Sequence, residues 1–236
     1  MPHFYVKPEN IKNNTFLIDG EQAHYVATVR RFNAGDEVML FDGLGNSYKA
    51  QISAASKTAI SGNIISSSYK MPEFKIVLYT AIPKGDRFEW LIEKAGELGA
   101  TALIPIVTKR SVQTEISPNK LERFNKISLA ASSQCGRNDI MSIKTPVDFK
   151  TACKEAAANK NFINILPWES AGSAETITNL KNFQGANIFI GPEGGFEPEE
   201  IEFAKSLGFK TITLGENILR TETAAITAVI LVNYLS

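Results

Sequence analysis

The sequence predicts an α/β protein in which a small antiparallel β-barrel precedes a larger parallel sheet with helices on both faces. From about residue 73, short and nearly continuous apolar runs alternate with longer segments of helical periodicity, as in buried parallel strands joined by helices. Before that point, short segments of alternating polarity are separated by turns, which is typical of a compact barrel. The pattern changes at residues 66–72, a predicted linker, so the predicted domains are residues 1–71 and 72–236.

The predicted barrel has strands at residues 37–41, 47–52 and 60–65. A helix is predicted over residues 21–31, because Ala23, Val26 and Val29 recur at helical spacing. It ends in Arg30 and Arg31, for which two interpretations stay open. These arginines favour a helix C-terminus through the helix dipole, or they contact the phosphate backbone of a nucleic acid.

The larger domain is predicted to alternate strands and helices. The predicted strands are residues 75–81, 102–107, 162–166, 187–190 and 211–214, and the predicted helices are residues 87–98, 118–131, 147–158, 174–182, 198–207 and 222–235. Gly99 and Gly208 follow two of the helices as C-terminal caps, and Thr221 is the predicted N-cap of the last one. That last helix is apolar nearly all round, so it is expected to be buried in the core of this chain or against a second copy.

Composition excludes several classes of protein. The 236 residues are 44% hydrophobic and 21% charged with zero net charge, which is ordinary for a folded protein and gives no global sign of nucleic-acid binding. The charge is uneven, however. Residues 73–145 hold 11 basic and 8 acidic side chains, whereas residues 146–236 hold 7 and 11. A local basic face that contacts phosphates and a solvated surface of mixed charge are both compatible with this distribution.

Two cysteines and two histidines are too few for a disulfide framework or an easily assembled zinc site, so no metal is expected. Cys135 and Cys153 are expected to be buried or idle thiols. No apolar stretch is long enough to span a membrane, and the first residues lack the pattern of a signal peptide. These observations lead us to expect a cytoplasmic protein without membrane segments.

A glycine-rich loop follows the predicted strand at residues 187–190, in the stretch "IGPEGGFEPEEIE" (190–202). A phosphate is often held at such a place, but several glutamates already offset the positive end of the following helix. The loop also lacks the residues of a P-loop and the spacing of a Rossmann turn. A neutral or cationic ligand fits better, and S-adenosyl-L-methionine, a sulfonium without phosphate, meets that description. The alternative is that the glycines only make turns and the glutamates only cap a helix.

Longer stretches of the chain resemble a known family. The stretches are "IGPEGGFEPEEI" (190–201), "LGENILRTETAAITAV" (214–229), "EKAGELGATALIPI" (93–106), "SQCGRN" (133–138), "HYVATVRR" (24–31) and "GDEVMLFDG" (35–43). The first two resemble the C-terminal signature of the SPOUT-class methyltransferases, and all six together resemble the ribosomal RNA small subunit methyltransferase E family. The resemblance covers almost the whole chain.

The resemblance implies a fold, a reaction and partners. The expected fold is a PUA-like β-barrel followed by a SPOUT parallel sheet with a deep trefoil knot. The expected enzyme is a homodimer that uses S-adenosyl-L-methionine to methylate uridine N3 in 16S ribosomal RNA at the decoding centre, on the small ribosomal subunit. Two alternatives stay open: a non-catalytic RNA-binding factor for ribosome assembly, and a SPOUT methyltransferase that acts on another RNA.

The resemblance also implies cofactor-binding residues in three loops. They are Leu166, Pro167, Ile190, Gly191, Pro192, Glu193, Gly194, Gly195, Leu214, Gly215, Asn217, Ile218, Leu219 and Thr223. At the N-terminus the chain departs from the family, because His3 stands where family members commonly have an arginine. If that arginine contacts RNA, His3 is expected to do so only weakly at neutral pH.

The chemistry of uridine N3 suggests catalytic residues. The N3 proton must leave and the developing anion must be stabilised, so a proton acceptor and a cation are required. Arg137 or Arg220 is a candidate for the cation, and Glu193 or Glu222 for the acceptor. The catalytic prediction is Arg137, Arg220 and Glu222, with a purely structural ion pair as the alternative. The predicted RNA-binding residues are Arg30, Arg31, Lys84, Arg87, Arg110 and Arg137, with Lys109 as a further candidate.

Overall fold

The computed structural model describes residues 3–169, 180 and 182–236. The predicted helix at residues 174–182 lies almost entirely outside the described residues. The chain divides into two compact units. The first is Met1–Met71 with Ser132–Ile140, and the second is Pro72–Ala131 with Met141–Ser236.

The first unit is built on a six-stranded sheet. Its strands are β1 (His3–Tyr5), β2 (Ile11–Lys12), β3 (Thr15–Asp19), β4 (Glu37–Phe41), β5 (Asn46–Ala55) and β6 (Ala59–Tyr69), and its helix is α1 (Gly20–His24). The spatial order is β1-β4-β5-β6-β3-β2, antiparallel throughout except for the parallel pair β1 and β4. Inward residues such as Phe16, Leu40, Ile52 and Ile60 form its core, because side chains of a strand alternate between faces.

Two predictions for this unit are wrong in detail. The serine-rich residues 66–68 belong to β6, where they pair with residues 47–49 of β5, so the linker is shorter than predicted. The hydroxyls of Ser47 and Ser68 lie 2.8 Å apart across this pair, which explains how so polar a segment is kept in a sheet. The predicted helix at 21–31 is shorter as well. After α1 it continues only as a π-helical turn, Tyr25–Val29, and the backbone of Arg31 takes a positive φ of 57°.

The second unit contains a seven-stranded sheet and helices on both faces. Its strands are β7 (Lys75–Thr80), β8 (Ala102–Val107), β9 (Ser142–Ile143), β10 (Val147–Asp148), β11 (Phe162–Pro167), β12 (Gly185–Ile190) and β13 (Lys210–Ile212). The helices are α2 (Arg87–Glu97), α3 (Pro118–Cys135), α4 (Phe149–Ala158), α5 (Pro198–Ser206) and α6 (Thr221–Leu235); the last four residues of α3 belong to the first unit. The order is β10-β8-β7-β12-β11-β13, with β9 also beside β8, and all recorded pairs are parallel.

Each face of this sheet has its own core. Leu78 of β7 packs in the cluster that contains residues of α2 and α6, whereas the next residue, Tyr79, packs in the cluster formed with α4 and α5. Consecutive side chains of one strand therefore serve opposite faces, which is why the strands are apolar at nearly every position. The predicted fold class, α/β with a parallel sheet and a small N-terminal β-barrel, is confirmed.

The last helix differs from its prediction at both ends. Thr221 is its first residue rather than its N-cap, which is Arg220, and the Thr221 hydroxyl donates to the carbonyl oxygen of Gly191 over 3.1 Å. Its inner side is buried in the cluster with α2, but Ile230 and Tyr234 remain 49% and 86% exposed. Burial in the core of this chain therefore accounts for only one side of the helix, and burial of the other side against a second copy stays a prediction.

The two thiols lie in different surroundings. Cys153 of α4 is completely buried, and this burial raises the pKa of its thiol to about 12, so it is a core residue as predicted. Cys135, at the end of α3, is exposed. In the part of the chain that the structure describes, no helix has the length and apolar character needed to cross a membrane. No cluster of three His, Cys, Asp or Glu side chains that could hold a metal is found among the same residues.

Candidate functional site

A cleft of about 230 Å³ lies in the second unit, where loops follow the carboxyl ends of β11, β12 and β13. These strands are parallel neighbours, with β11 between the other two, so their carboxyl ends meet at one edge of the sheet. Ligands of open parallel sheets bind at this edge. The cleft is lined by Pro167, Trp168, Glu169, Ile190, Gly191, Pro192, Glu193, Gly194, Gly195, Phe196, Thr213, Leu214, Gly215, Asn217, Ile218, Leu219, Thr221 and Ala224.

Most of the residues predicted to bind a cofactor are brought together here. All of them line the cleft except Leu166 and Thr223. Leu166 is completely buried in the core between the sheet and α4, because it points to the opposite face of β11 from its neighbour Ile165. Thr223 is exposed on the first turn of α6. Leu166 and Thr223 thus do not line the cleft, and their role in cofactor binding stays a prediction.

The prediction also missed six residues of the lining. They are Trp168, Glu169, Phe196, Thr213, Thr221 and Ala224. Trp168 and Glu169 directly follow β11, so extending each loop beyond the end of its strand would have found them. Thr221 and Ala224 lie one turn apart at the start of α6, and only the packing of that helix against the loop brings them to the cleft.

The glycine loop, residues 191–195, has steric reasons for its glycines. A Cβ atom on Gly191 would lie 3.1 Å from the ring of Phe196, and one on Gly194 would lie 3.2 Å from Cδ of Arg110. Gly195 has a φ of +71°, in the left-handed region that favours glycine, and its N–H donates to the carbonyl oxygen of Pro192 over 2.9 Å. The loop is thus a tight turn whose backbone forms one wall of the cleft.

The glutamates around this loop have structural partners. One carboxylate oxygen of Glu193 accepts from the backbone N–H of Lys84 over 3.2 Å, and Glu197 receives two bonds from the guanidinium of Arg110. Glu200 is buried and accepts from the backbone N–H groups of Lys109 and Glu197, each over 2.9 Å. Glu193 also lines the cleft, so the same side chain can support the loop and contact a ligand.

Several basic residues predicted to bind RNA lie in the second unit. Arg110 donates not only to Glu197 but also to the carbonyl oxygen of Gly194, so its guanidinium is held by the glycine loop. Lys84 is exposed before α2. Arg87, at the start of α2, lies 3.7 Å from Glu222 as a partly exposed ion pair. Lys109 forms an exposed ion pair with Glu199 over 3.4 Å.

Two of the predicted catalytic residues, Arg220 and Glu222, lie at the start of α6 in the second unit. Glu222 is only 8% exposed, and its Oε2 atom has no hydrogen-bond partner among the described residues. A buried carboxylate oxygen left in this state is costly, and such groups are often functional. Glu222 does not itself line the cleft, although its neighbour Thr221 does. Arg220 is exposed at the N-cap of α6 and follows the lining residue Leu219.

The remaining predicted residues belong to the first unit. Arg30 and Arg31 are exposed at the end of the π-helical turn. Arg137 is half-buried, and its Nε and Nη2 atoms donate to the two carboxylate oxygens of Asp139 over 3.0 and 2.5 Å. This bidentate pair gives Arg137 a structural partner in the same unit, which fits the alternative of a structural ion pair.

Two family models match the chain. One is described as an RNA methyltransferase domain and matches residues 70–233. The other is described as an RNA methyltransferase PUA domain and matches residues 18–65. The match to the first model contains all three loops of the cleft.

Relatives and solved structures agree with these matches. The ribosomal RNA small subunit methyltransferase E of Bacillus subtilis (strain 168) is 32% identical and covers 93% of this chain and 90% of its own. The protein of the same name from Mesomycoplasma hyopneumoniae (strain 232) is 36% identical and covers 96% of each. A crystal structure of this methyltransferase from Neisseria gonorrhoeae, bound to S-adenosyl methionine, is 26% identical with a TM-score of 0.84 and covers 97% of this chain and 95% of that chain.

Proposed function

The chain belongs to the ribosomal RNA small subunit methyltransferase E family, and on that premise we propose that it methylates 16S ribosomal RNA with S-adenosyl-L-methionine. The methyl acceptor is N3 of a uridine at the decoding centre, and the substrate is the assembled small subunit. The observation that carries this proposal is the cleft at the carboxyl ends of β11, β12 and β13, which gathers nearly all the loop residues expected to bind this cofactor.

The cleft suits S-adenosyl-L-methionine in shape and charge. The backbone of residues 191–195 approaches the cleft without intervening side chains at the glycines, so its amides and carbonyls are available to a ligand. Two carboxylates, Glu169 and Glu193, line the cleft, which suits a sulfonium and an amino group better than a phosphate. Apolar contacts to an adenine ring are offered by Trp168, Ile190, Leu214, Ile218 and Leu219. When bound, the cofactor supplies the methyl group and a neutral thioether leaving group.

The chain's own residues must remove the N3 proton and stabilise the resulting negative charge. We propose that the Oε2 atom of Glu222 accepts the proton, because that oxygen has no hydrogen-bond partner among the described residues. The atom is buried in this structure, so the side chain must turn towards the cleft when the substrate binds. Nε of Arg87 lies 3.7 Å from the other oxygen and forms an ion pair with Glu222. Arg220, exposed beside the cleft residue Leu219, is the candidate cation for the uracil carbonyl oxygens. Arg137 stays a second candidate for that role.

The decisive experiment is mass spectrometry of ribosomal RNA from cells with and without this chain. We expect 3-methyluridine to be absent from 16S ribosomal RNA without the chain and restored by the wild-type gene. Loss of a different methylated nucleotide would contradict the proposed target. Unchanged methylation with defective subunits would instead support an assembly factor.

Contact with RNA through the first unit leads to a testable prediction. Substituting Arg30 and Arg31 together by alanine is expected to weaken RNA binding, because both side chains are exposed and charged. Two lost phosphate contacts should lower the slope of log affinity against log salt by about 1.4 to 1.8. The measurement is fluorescence anisotropy with an RNA fragment at several salt concentrations. The control is Lys7→Ala with Lys57→Ala, which removes two exposed charges from the same unit; an equal loss in both variants would contradict specific contacts.

We also propose a homodimer. Ile230 and Tyr234 lie four residues apart on α6, so they share one exposed side of this helix. A second copy is the partner that would cover this side. Light scattering tests this proposal by measuring the molar mass of the wild type and of Ile230→Glu in solution. A monomeric wild type would contradict the homodimer.

A ribosomal substrate also implies a cytoplasmic location, which cell fractionation tests.

A further inference from the structure

Arg110 holds the glycine loop from outside the cleft. It follows β8 in a turn that is closed by the Ser111 hydroxyl, which accepts from the Thr108 N–H over 2.9 Å. From this turn its guanidinium donates to Glu197 through Nε and Nη2 over 3.0 and 3.1 Å, and to the carbonyl oxygen of Gly194 through Nη1 over 2.5 Å. One side chain thus joins the carboxyl end of β8 to the middle and the last residue of the segment between β12 and α5.

These contacts restrict the orientation of the loop backbone. A guanidinium is planar and presents its donors in a fixed fork, so the bidentate bond to Glu197 also fixes the direction of Nη1. The Gly194 carbonyl is held on the Arg110 side, and the stem of Arg110 packs against Gly194 closely enough that a Cβ there would be only 3.2 Å from Cδ. Gly194 and Gly195 both line the cleft, so fixing this peptide also fixes part of the cleft wall.

A second contact, between Glu193 and Lys84, also holds the glycine loop. Glu193 accepts a hydrogen bond from the backbone N–H of Lys84 over 3.2 Å. Because this bond uses the Lys84 main chain, substituting the lysine side chain leaves it in place. The glycines themselves provide no side chains to hold the loop, and glycine has the largest conformational freedom in the unfolded or mobile state. The loop therefore depends on outside partners for a single conformation, and Arg110 supplies three of the bonds.

We propose that Arg110 is a positioning residue for the cofactor cleft and sets the affinity for S-adenosyl-L-methionine by pre-organising residues 194–196. This proposal rests on the proposed function for the identity of the ligand. It differs from the sequence prediction, which placed Arg110 among the RNA contacts. The guanidinium is already engaged by Glu197 and Gly194, and an RNA phosphate would have to displace these bonds.

The first measurement uses the protein without ligand. Amide hydrogen exchange of residues 194–196 is compared among wild type, Arg110→Ala, Arg110→Lys and Lys109→Ala. We expect exchange in Arg110→Ala to be at least about tenfold faster than in wild type, because loss of the contacts favours local opening. Lys109→Ala is the matched control, since it removes one positive charge from the same turn but breaks only an exposed ion pair with Glu199.

The second measurement is calorimetric titration with S-adenosyl-L-methionine, together with steady-state kinetics. Arg110→Ala is expected to bind roughly tenfold to a hundredfold more weakly, as for loss of hydrogen bonds to a charged group. Arg110→Lys should recover only part of the lost cofactor affinity, because lysine keeps the positive charge but lacks the planar fork of donors of the guanidinium. The KM for the cofactor should rise while kcat at saturation stays near that of wild type, and Lys109→Ala should keep the wild-type affinity for the cofactor.

Two results would overturn the proposal. One is wild-type loop exchange and wild-type cofactor affinity in Arg110→Ala. The other is intact cofactor affinity with weaker RNA binding and a salt slope lower by about 0.7 to 0.9, which would make Arg110 an RNA contact. Failure of the wild type to bind the cofactor would contradict the proposed function instead, and the exchange measurement would still decide whether Arg110 holds the loop.

Discussion

Gly195→Val is expected to lower the affinity for S-adenosyl-L-methionine by about tenfold to a hundredfold, while the protein remains folded. Gly195 has a φ of +71°, and a β-branched residue in this region is a severe outlier. A Cβ at this position would lie 3.6 Å from Oε1 of Glu169, a cleft residue. The variant must either strain the turn or change the peptide orientations that form the cleft wall. Calorimetric titration measures the affinity, and thermal unfolding measures the stability.

Gly208→Val is the matched control for this substitution. Gly208 also has a positive φ, +86°, and follows the last turn of α5, where an added Cβ would meet nothing within 4 Å. It does not line the cleft. We expect a comparable loss of stability, on the order of 1–2 kcal/mol, without a loss of cofactor affinity. Wild-type affinity in Gly195→Val, or an equal loss in Gly208→Val, would show that the glycine loop does not bind the cofactor.

Glu222→Gln is expected to lower turnover by about 10²- to 10⁴-fold with little change in cofactor or RNA affinity. The amide has nearly the same shape as the carboxylate but cannot accept the N3 proton. The ion pair with Arg87 is long, 3.7 Å, and Arg87 is 44% exposed, so its loss should cost only about 0 to 1 kcal/mol of stability. Single-turnover methyl transfer, cofactor titration and RNA binding are measured separately, because only the first should change strongly.

Two further variants serve as comparisons for Glu222→Gln. Glu216→Gln changes an exposed acid of the loop before α6 that does not line the cleft, and it should retain wild-type turnover. Arg137→Ala tests the alternative cation, and unchanged turnover there would leave Arg220 as the remaining predicted candidate. If Glu222→Gln itself turns over like wild type, the carboxylate is structural and the proton must leave by another route.

The predicted lining was most accurate where the cleft is formed by backbone. The glycine loop at residues 191–195 could be recognised from its local pattern, whereas Gly215 was assigned to the site only through the resemblance to the family, and these glycines line the cleft. Trp168 and Glu169 were missed because the predicted loop was not extended beyond the end of its strand. Leu166 does not line the cleft because its side chain occupies the opposite face of its strand, which a match by motif does not reveal.

The partners of the charged residues were harder still to predict from the sequence. Arg110 and Arg137 were both predicted to contact RNA, since a basic residue in a sequence carries no sign of its partner. In the structure, Arg110 is bonded to Glu197, 87 residues away along the chain, and Arg137 is bonded to Asp139, two residues away. The pairing of Arg110 with Glu197 forms only because two loops come together at one edge of the sheet, and no local sequence pattern shows that they do.

The sequence by itself determined the α/β class, most of the strands and helices, and the glycine loop, because these depend on periodicity and on local backbone preferences. The expected trefoil knot came only from resemblance, since hydrophobic patterns do not record how a chain crosses itself. Only the tertiary structure decided that residues 66–69 complete a strand, that Glu222 is buried with an oxygen left without a partner among the described residues, and that Arg110 supports the loop. The physical reason is the same in each case: strand pairing, burial and ion pairing are relations between distant segments, and they exist only after the chain has brought those segments together.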